Sequence, residues 1–318
     1  MARIITEIND LQLVRVPFER DEHSIGDLAL HPRVVQRYIE AGYADQPKSK
    51  DQAKERDVKG WNGLNTSLVN HQIYSERNQN VVAVTLAPTR YLFRQAMEDL
   101  VRQEILTSEE ILQMSPNLTG SSLLVVGRYN YSPVLIAQLK GDALGSGEIH
   151  GALAAGGMPG HFVTDTKKYV DPVSACLKKE AVEEVGTSFE SHGKRPYLLV
   201  GEEETGQCSI ANLLLGVLPL EDVLDAYQES VTASLKVDGD KKRLEVAGIA
   251  VLPLERTLFT IRDSKRVLAG ITCYTPKGDG TLERTIQDRG MRPYTQGVLN
   301  YLHQKSQNLT KMLDAIGF

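Results

Sequence analysis

Cysteine is scarce in this chain, with three in 318 residues. Cys176, Cys208 and Cys273 lie far apart, and none belongs to a Cys-x-x-Cys pair. That argues against a structural zinc site, which draws on closely spaced ligand pairs. The odd count suits free thiols in a reducing compartment, and Cys176, among apolar neighbours, reads as packing rather than chemistry. Tryptophan occurs once, as Trp61; a small core is its expected place, and stacking on a base is the alternative. No stretch of 18 apolar residues occurs, so no membrane span is expected. Met1 to Glu7 lacks the apolar centre of a signal peptide, and cytoplasm is the default location. A surplus of positive charge is also missing. Thirty-six Lys and Arg face 41 Asp and Glu, for a net charge of −5. That argues against general nucleic-acid binding, which needs a strong basic surplus. A local basic pocket for phosphate remains open. The Gly-Lys-Ser/Thr ending of a Walker A loop and the Gly-x-Gly-x-x-Gly fingerprint are both absent, so Gly141 to Glu148 reads as a flexible loop.

What is present fits a globular protein: 41% hydrophobic and 24% charged residues, enough chain for one large domain or two ordinary ones. In the first part, Leu11–Val16 and Val81–Leu86 read as strands, the second ended by Pro88. Pro32–Ala41, Arg90–Gln103 and Ser108–Met114 read as helices, the last opened by a capping box from Thr107 to Glu110. The charged run 45–57 reads as an exposed helix or mobile loop. Ser115-Pro116-Asn117 is the expected boundary between an N-terminal extension, 1–118, and a second domain, 119–318. Beyond it Ser122–Arg128 and Val134–Lys140 form a hairpin around Asn130 to Pro133. Strands follow at Tyr197–Gly201, Ile210–Leu218, Ala247–Leu252 and Val267–Tyr274. Glu221–Ser230 reads as a helix, and Tyr294–Ile316 as one closing helix. Strands, one acidic helix, more strands and a final helix describe an α/β sandwich with a mixed sheet between helices.

The acidic helix is the segment that points to chemistry. Asp171 suits an N-cap, Pro172 the first helical position, and Gly186 the position just past the end. Val173, Leu177, Ala181 and Val185 make a buried stripe, so a helix is expected over about 172–185. Glu180, Glu183 and Glu184 stand at i, i+3 and i+4 and share one face, where like charges destabilise a bare helix. A hard divalent cation would offset that repulsion. Mg²⁺ takes oxygen ligands and bridges carboxylates to substrate phosphates. A solvated surface helix with an acidic face is the plainer alternative.

The run Ala154-Ala155-Gly156-Gly157-Met158-Pro159-Gly160 precedes this helix. With Asp171, Lys179-Glu180, Glu183-Glu184 and Gly186, it resembles the Nudix hydrolase signature over about 30 residues. Seven residues, Pro172 to Lys178, separate Asp171 from Lys179, as that signature requires. Asp171 stands where the family has Glu, Lys179 where it has Arg, and Thr187 where it has an aliphatic residue. Gly157 lies fourteen positions before Asp171, so a loop of roughly His161 to Val170 is inserted.

The resemblance implies a Nudix-type α/β/α sandwich and a Mg²⁺- or Mn²⁺-dependent hydrolase. Its substrate would be a nucleoside diphosphate linked to another group, such as a nucleotide-sugar or dinucleotide. Glu180, Glu183 and Glu184 would hold the metal, and Lys179 would orient them. The backbone of Gly156 and Gly157 would approach the metal or the diphosphate. Arg128, with Arg90 and Lys140 as further candidates, would bind phosphate. A further carboxylate would come from Glu202 to Glu204, Glu245 or Glu255. His150 and His161 flank the glycine segment as possible proton carriers. A homodimer would suit the size of the chain. Two other readings stay open: a Nudix-like scaffold that binds a nucleotide without cleaving it, and an interaction module with a coincidental acidic helix. No Ser-His-Asp or Cys-His nucleophile set stands out.

Overall fold

The computed structural model describes residues 2–8, 10–15, 32–56, 62–77, 79–107, 110, 117–141, 147–187, 197–202, 207–215, 219–238, 246–255, 259–262 and 265–315. They form a mixed α/β fold around a large mixed sheet. In chain order the strands are β1 (Ala2–Ile8), β2 (Asp10–Arg15), β3 (Leu64–Glu76), β4 (Gln79–Arg90), β5 (Asn117–Tyr129), β6 (Ser132–Lys140) and β7 (Ile149–His150). They continue as β8 (Ala154–Gly157), β9 (Tyr197–Glu202), β10 (Gln207–Leu215), β11 (Val246–Pro253), β12 (Phe259–Arg262), β13 (Lys265–Pro276) and β14 (Leu282–Gly290). The main path runs β1-β9-β10-β5-β6-β11-β13-β12. Only the β10–β5 neighbours on that path are parallel. β2, β4 and β3 form a second layer that joins β5 through Ser67 and Leu118. β1, from the first residues of the chain, lies in the same sheet as the strands after residue 119.

Alternation along β5 and β6 builds one core on each face of the sheet. Leu123, Val125, Val134 and Ile136 face the helices Pro172–Val185 and Leu220–Asp238. Leu124, Val126, Leu135 and Ala137 face the helices Pro293–Gln304 and Ser306–Ala315. This is the period of two that a pleated strand imposes. A smaller core forms where Pro32–Glu40 packs on Tyr91–Arg102, with Tyr38 stacked on Phe93 at 4.0 Å between ring centres.

The sheet opens where the site lies. β5 and β6 pair from Tyr129↔Ser132 to Val125↔Ile136, and their two-residue turn places Asn130 and Tyr131 at φ 50° and 66°, as hairpin turns require. Past Ile136 the two strands diverge. β7 then pairs with β6 at Gln138 and Leu139, and β8 pairs with β5 at Gly120 to Leu123. The glycine segment is therefore largely a short strand inserted in a fork of the sheet, rather than a loop.

Two expectations are corrected. Pro88 does not end its strand, because β4 continues to Arg90. Pro88 pairs with Thr66, whose N–H is turned outward to Met158 O at 2.9 Å. That makes the pair a non-hydrogen-bonded one. The N–H that proline lacks would thus face the side where the described part of β2 has ended, opposite Leu86. The closing helix is two helices, Pro293–Gln304 and Ser306–Ala315, with a cap at Lys305. β1, β3, β12 and β14 were not read from the sequence. Trp61 and most of the expected helix Ser108–Met114 lie outside the described residues. The expected capping box is present: Thr107 N donates to Glu110 Oε2 at 2.7 Å, and Glu110 N to Thr107 Oγ1 at 3.2 Å.

Candidate functional site

The helix Pro172–Val185 forms as its sequence implies. Asp171 Oδ1 accepts from Val173 N and Ser174 N, each at 3.1 Å. Gly186 closes the helix at φ 88°, in the left-handed region, and donates back to Ala181 O and Val182 O. The buried residues are Pro172, Val173, Cys176, Leu177, Glu180, Ala181, Glu184 and Val185. The helix thus does not divide into an apolar side and an acidic side. Glu180 and Glu184 lie on the packed face, whereas Glu183 points to solvent with its side chain 58% exposed.

Glu184 reaches into the fork between β6 and β8. Its Oε1 accepts from Lys140 Nζ at 2.6 Å, and its Oε2 from Gln138 Nε2 at 2.8 Å and Ala155 N at 2.7 Å. Only 5% of the Lys140 side chain and 2% of the Glu184 side chain reach solvent. Ion pairs this deeply desolvated give a weak net gain while intact, but removing one partner is costly. Gln138 also donates to Leu153 O at 3.0 Å, while its Oε1 is buried without a partner. Lys140, considered above as a phosphate ligand, is therefore the counter-ion of Glu184.

Glu180 lies against β8. A Cβ added to Gly156 would overlap the Glu180 carboxylate, so only glycine allows this approach. Lys179 Nζ bridges Glu180 Oε1 and Glu183 Oε2, both at 2.8 Å. Lys179 thus pairs with two of the three glutamates, while Glu184 pairs with Lys140. Burial pushes the Glu180 carboxyl above the usual carboxylate range against the pull of Lys179, and Glu184 and Glu183 push in the same direction as burial. Burial opposes the charge on Lys179, but its bonds to Glu180 and Glu183 outweigh that and hold the ammonium above its ordinary value.

The remaining candidates separate. Arg128 is six residues along β5 from Ser122, about 20 Å at strand rise, and pairs with Asp314 on the last helix. Glu255 accepts from Ser132 at that same end of the sheet. Arg90 lies at the start of helix Tyr91–Arg102. Glu203, Glu204 and Glu245 lie outside the described residues. His161 opens the short helix His161–Thr164, within the insertion. Burial, with the charges of Lys168 and Lys179, lowers its pKa. His150 is buried and stacked on Tyr294 at 4.7 Å. Burial, then the charges of Lys140 and Arg292, hold it well below the ordinary histidine value. Its Nδ1 accepts from Ala152 N at 3.3 Å, which leaves a neutral ring. Burial pushes the Cys176 thiol up to about 12, so it is inert as a nucleophile.

Among the described residues, no three His, Cys, Asp or Glu side chains are gathered as a metal-holding group. Glu180 and Glu184 are the two carboxylates turned toward the fork. Sequence reading missed Gln138, although a signal was there. Val134, Ile136, Gln138 and Lys140 occupy one face of β6, and the change from apolar to polar marks where that face enters the site. No helix among the described residues is long and apolar enough to cross a membrane. No family model matches the chain, and no curated protein matches it.

Proposed function

We propose that this chain is a Nudix-type pyrophosphohydrolase that uses Mg²⁺ or Mn²⁺ to cleave a nucleoside diphosphate linked to another moiety, such as a nucleotide-sugar or dinucleotide. The observation that carries this reading is Glu180. It is a largely buried carboxylate held against a glycine strand, one helical turn from a second buried carboxylate, Glu184. Proteins rarely bury two acids this close without use for them.

The donors fit a hard divalent cation. Two carboxylates and the unpartnered Gln138 Oε1 are all oxygen ligands, and Mg²⁺ sites often combine one or two carboxylates with substrate phosphate oxygens. When bound, such an ion would neutralise charge on the diphosphate and activate a water. Glu180 and Glu184 would hold it. Lys179 fixes the Glu180 rotamer. Glu183, in solvent and bonded only to Lys179 among the described residues, is left to accept the proton of the water. The exposed backbone at Gly157 offers the approach to the diphosphate.

A second reading is motivated by Lys140. Its ammonium sits 2.6 Å from Glu184 Oε1, where a metal would otherwise compensate the charge. With that compensation built in, the scaffold would bind a nucleotide without cleaving it.

Both readings are tested by assaying a panel of nucleotide-sugars and dinucleotides with Mg²⁺ and Mn²⁺, beside calorimetry. Hydrolysis that falls at least tenfold in Glu180→Gln supports the enzyme. Binding without product over hours supports the silent scaffold, and neither binding nor product refutes both. Light scattering would show whether the chain is a homodimer, which would fit a protein of the resembled family and size.

A further inference from the structure

A cavity of about 750 Å³ lies away from the glutamates, lined by Ala44, Asp45, Gln46, Lys48, Gln52, Arg56, Leu64 and Arg90. Three of these side chains are cationic and one is a carboxylate, in a chain whose net charge is −5. A cation-rich concavity on an acidic protein focuses potential for anions, and this volume suits a small molecule. Arg56 Nη1 donates to Asp45 O at 3.3 Å and Arg90 Nη1 to Asn62 O at 3.4 Å. Neither guanidinium is ion-paired to a carboxylate among the described residues, so most of each fork of donors remains for a ligand.

The walls around Arg90 are built firmly. Asn62 is buried, donates to Tyr38 Oη and Tyr43 O, and accepts from Leu92 N at 3.0 Å at the start of helix Tyr91–Arg102. Tyr91 N donates to Gly63 O at 3.0 Å. Leu64, the apolar wall, accepts from Gly160 N at 3.1 Å through its carbonyl. The pocket therefore adjoins the end of the glycine segment that carries Gly156.

We propose that this pocket binds the phosphate group of a small molecule, with Arg90 and Arg56 as its ligands and Lys48 completing the charge. This assignment stands apart from the hydrolase reading, because it invokes neither metal nor glutamate. The test is calorimetric titration of inorganic pyrophosphate into the full chain in EDTA, at low and high salt. The wild type and Glu180→Gln are expected to bind alike, more weakly at high salt, and Lys48→Gln/Arg56→Gln at least tenfold more weakly than either. Lys48 and Arg56 are exposed on or beside a short helix, so that double variant is expected to fold; its circular dichroism and melting temperature confirm this. Arg90→Gln serves as a second variant, with the same expected loss. No binding by the wild type overturns the proposal. So does binding that survives both sets of substitutions, or that is lost in Glu180→Gln.

Discussion

Glu180 carries a cost that its surroundings only partly offset. Its folded-state carboxyl holds a proton more tightly than a free glutamate, because burial outweighs the pull of Lys179. Between the ordinary glutamate value, about 4.3, and the raised one, the folded chain binds more protons than the unfolded chain. Stability therefore falls as pH rises through that window and stays reduced at neutral pH. Glu180→Gln removes this penalty. The expected result is a melting temperature above wild type at pH 7, a difference that closes toward pH 4, and at least tenfold less hydrolysis. A variant less stable than wild type at pH 7 would contradict this account. Glu184 behaves differently. On sequence grounds alone, Glu184→Gln lowers Mg²⁺-dependent turnover at least tenfold and leaves the melting temperature roughly unchanged. The structure gives a different expectation, because the change strands the Lys140 ammonium in a nearly closed site. A loss of about 3–5 kcal/mol is expected by urea unfolding. Much of that loss should return in Lys140→Met/Glu184→Gln, and a double variant as unstable as the single one would argue against a coupled pair.

At the level of elements, the glutamate helix and β8 act as one unit. The helix presents Glu180 to Gly156 and Glu184 to Ala155 N, so the strand sets where both carboxylates point. Gly156→Ala places a methyl group where the Glu180 carboxylate lies. About 1–3 kcal/mol of stability should be lost, as in other overpacked sites, together with at least tenfold of any hydrolysis. Wild-type stability and turnover in that variant would show that the close approach has no role. Asp171→Ala, which loses both N-cap bonds, should cost about 1 kcal/mol with little change in turnover. The last two helices show the opposite balance between sequence and packing. Val298, Leu302, Leu309 and Leu313 keep a helical spacing across Lys305, so one helix was the natural reading. The break lets both helices bury these residues in the same core, while Lys305 pairs with Glu7 on β1 at 2.8 Å.

For the molecule as a whole, His150 joins the fork to the C-terminal helices. It is neutral, buried, and stacked on Tyr294, whose hydroxyl lies 2.5 Å from Ser122 Oγ. Its folded pKa lies well below the unfolded value of about 6.5. As pH falls below that value the unfolded chain takes up a proton that the folded chain refuses, so stability is lost on acidification. Melting temperature should drop from pH 7.5 to pH 5, and by less in His150→Gln once both are compared with their own values at pH 7.5. An equal drop in both proteins would assign the acid sensitivity elsewhere.

The local sequence determined the glutamate helix almost to the residue. An N-cap, a proline at the first position, an apolar stripe and a terminal glycine are short-range signals that act through the backbone of the same segment. The β5–β6 hairpin was legible for the same reason. Which of the three glutamates would be buried was not legible, since Glu180, Glu183 and Glu184 are chemically alike. The direction from which β6 and β8 pack against the helix separates them. Nor could spacing show that Lys140, 44 residues before Glu184, would become its counter-ion, or that Arg90 and Arg56 would share a cavity. Those pairings join strands and helices distant along the chain, and only the assembled sheet brings them together.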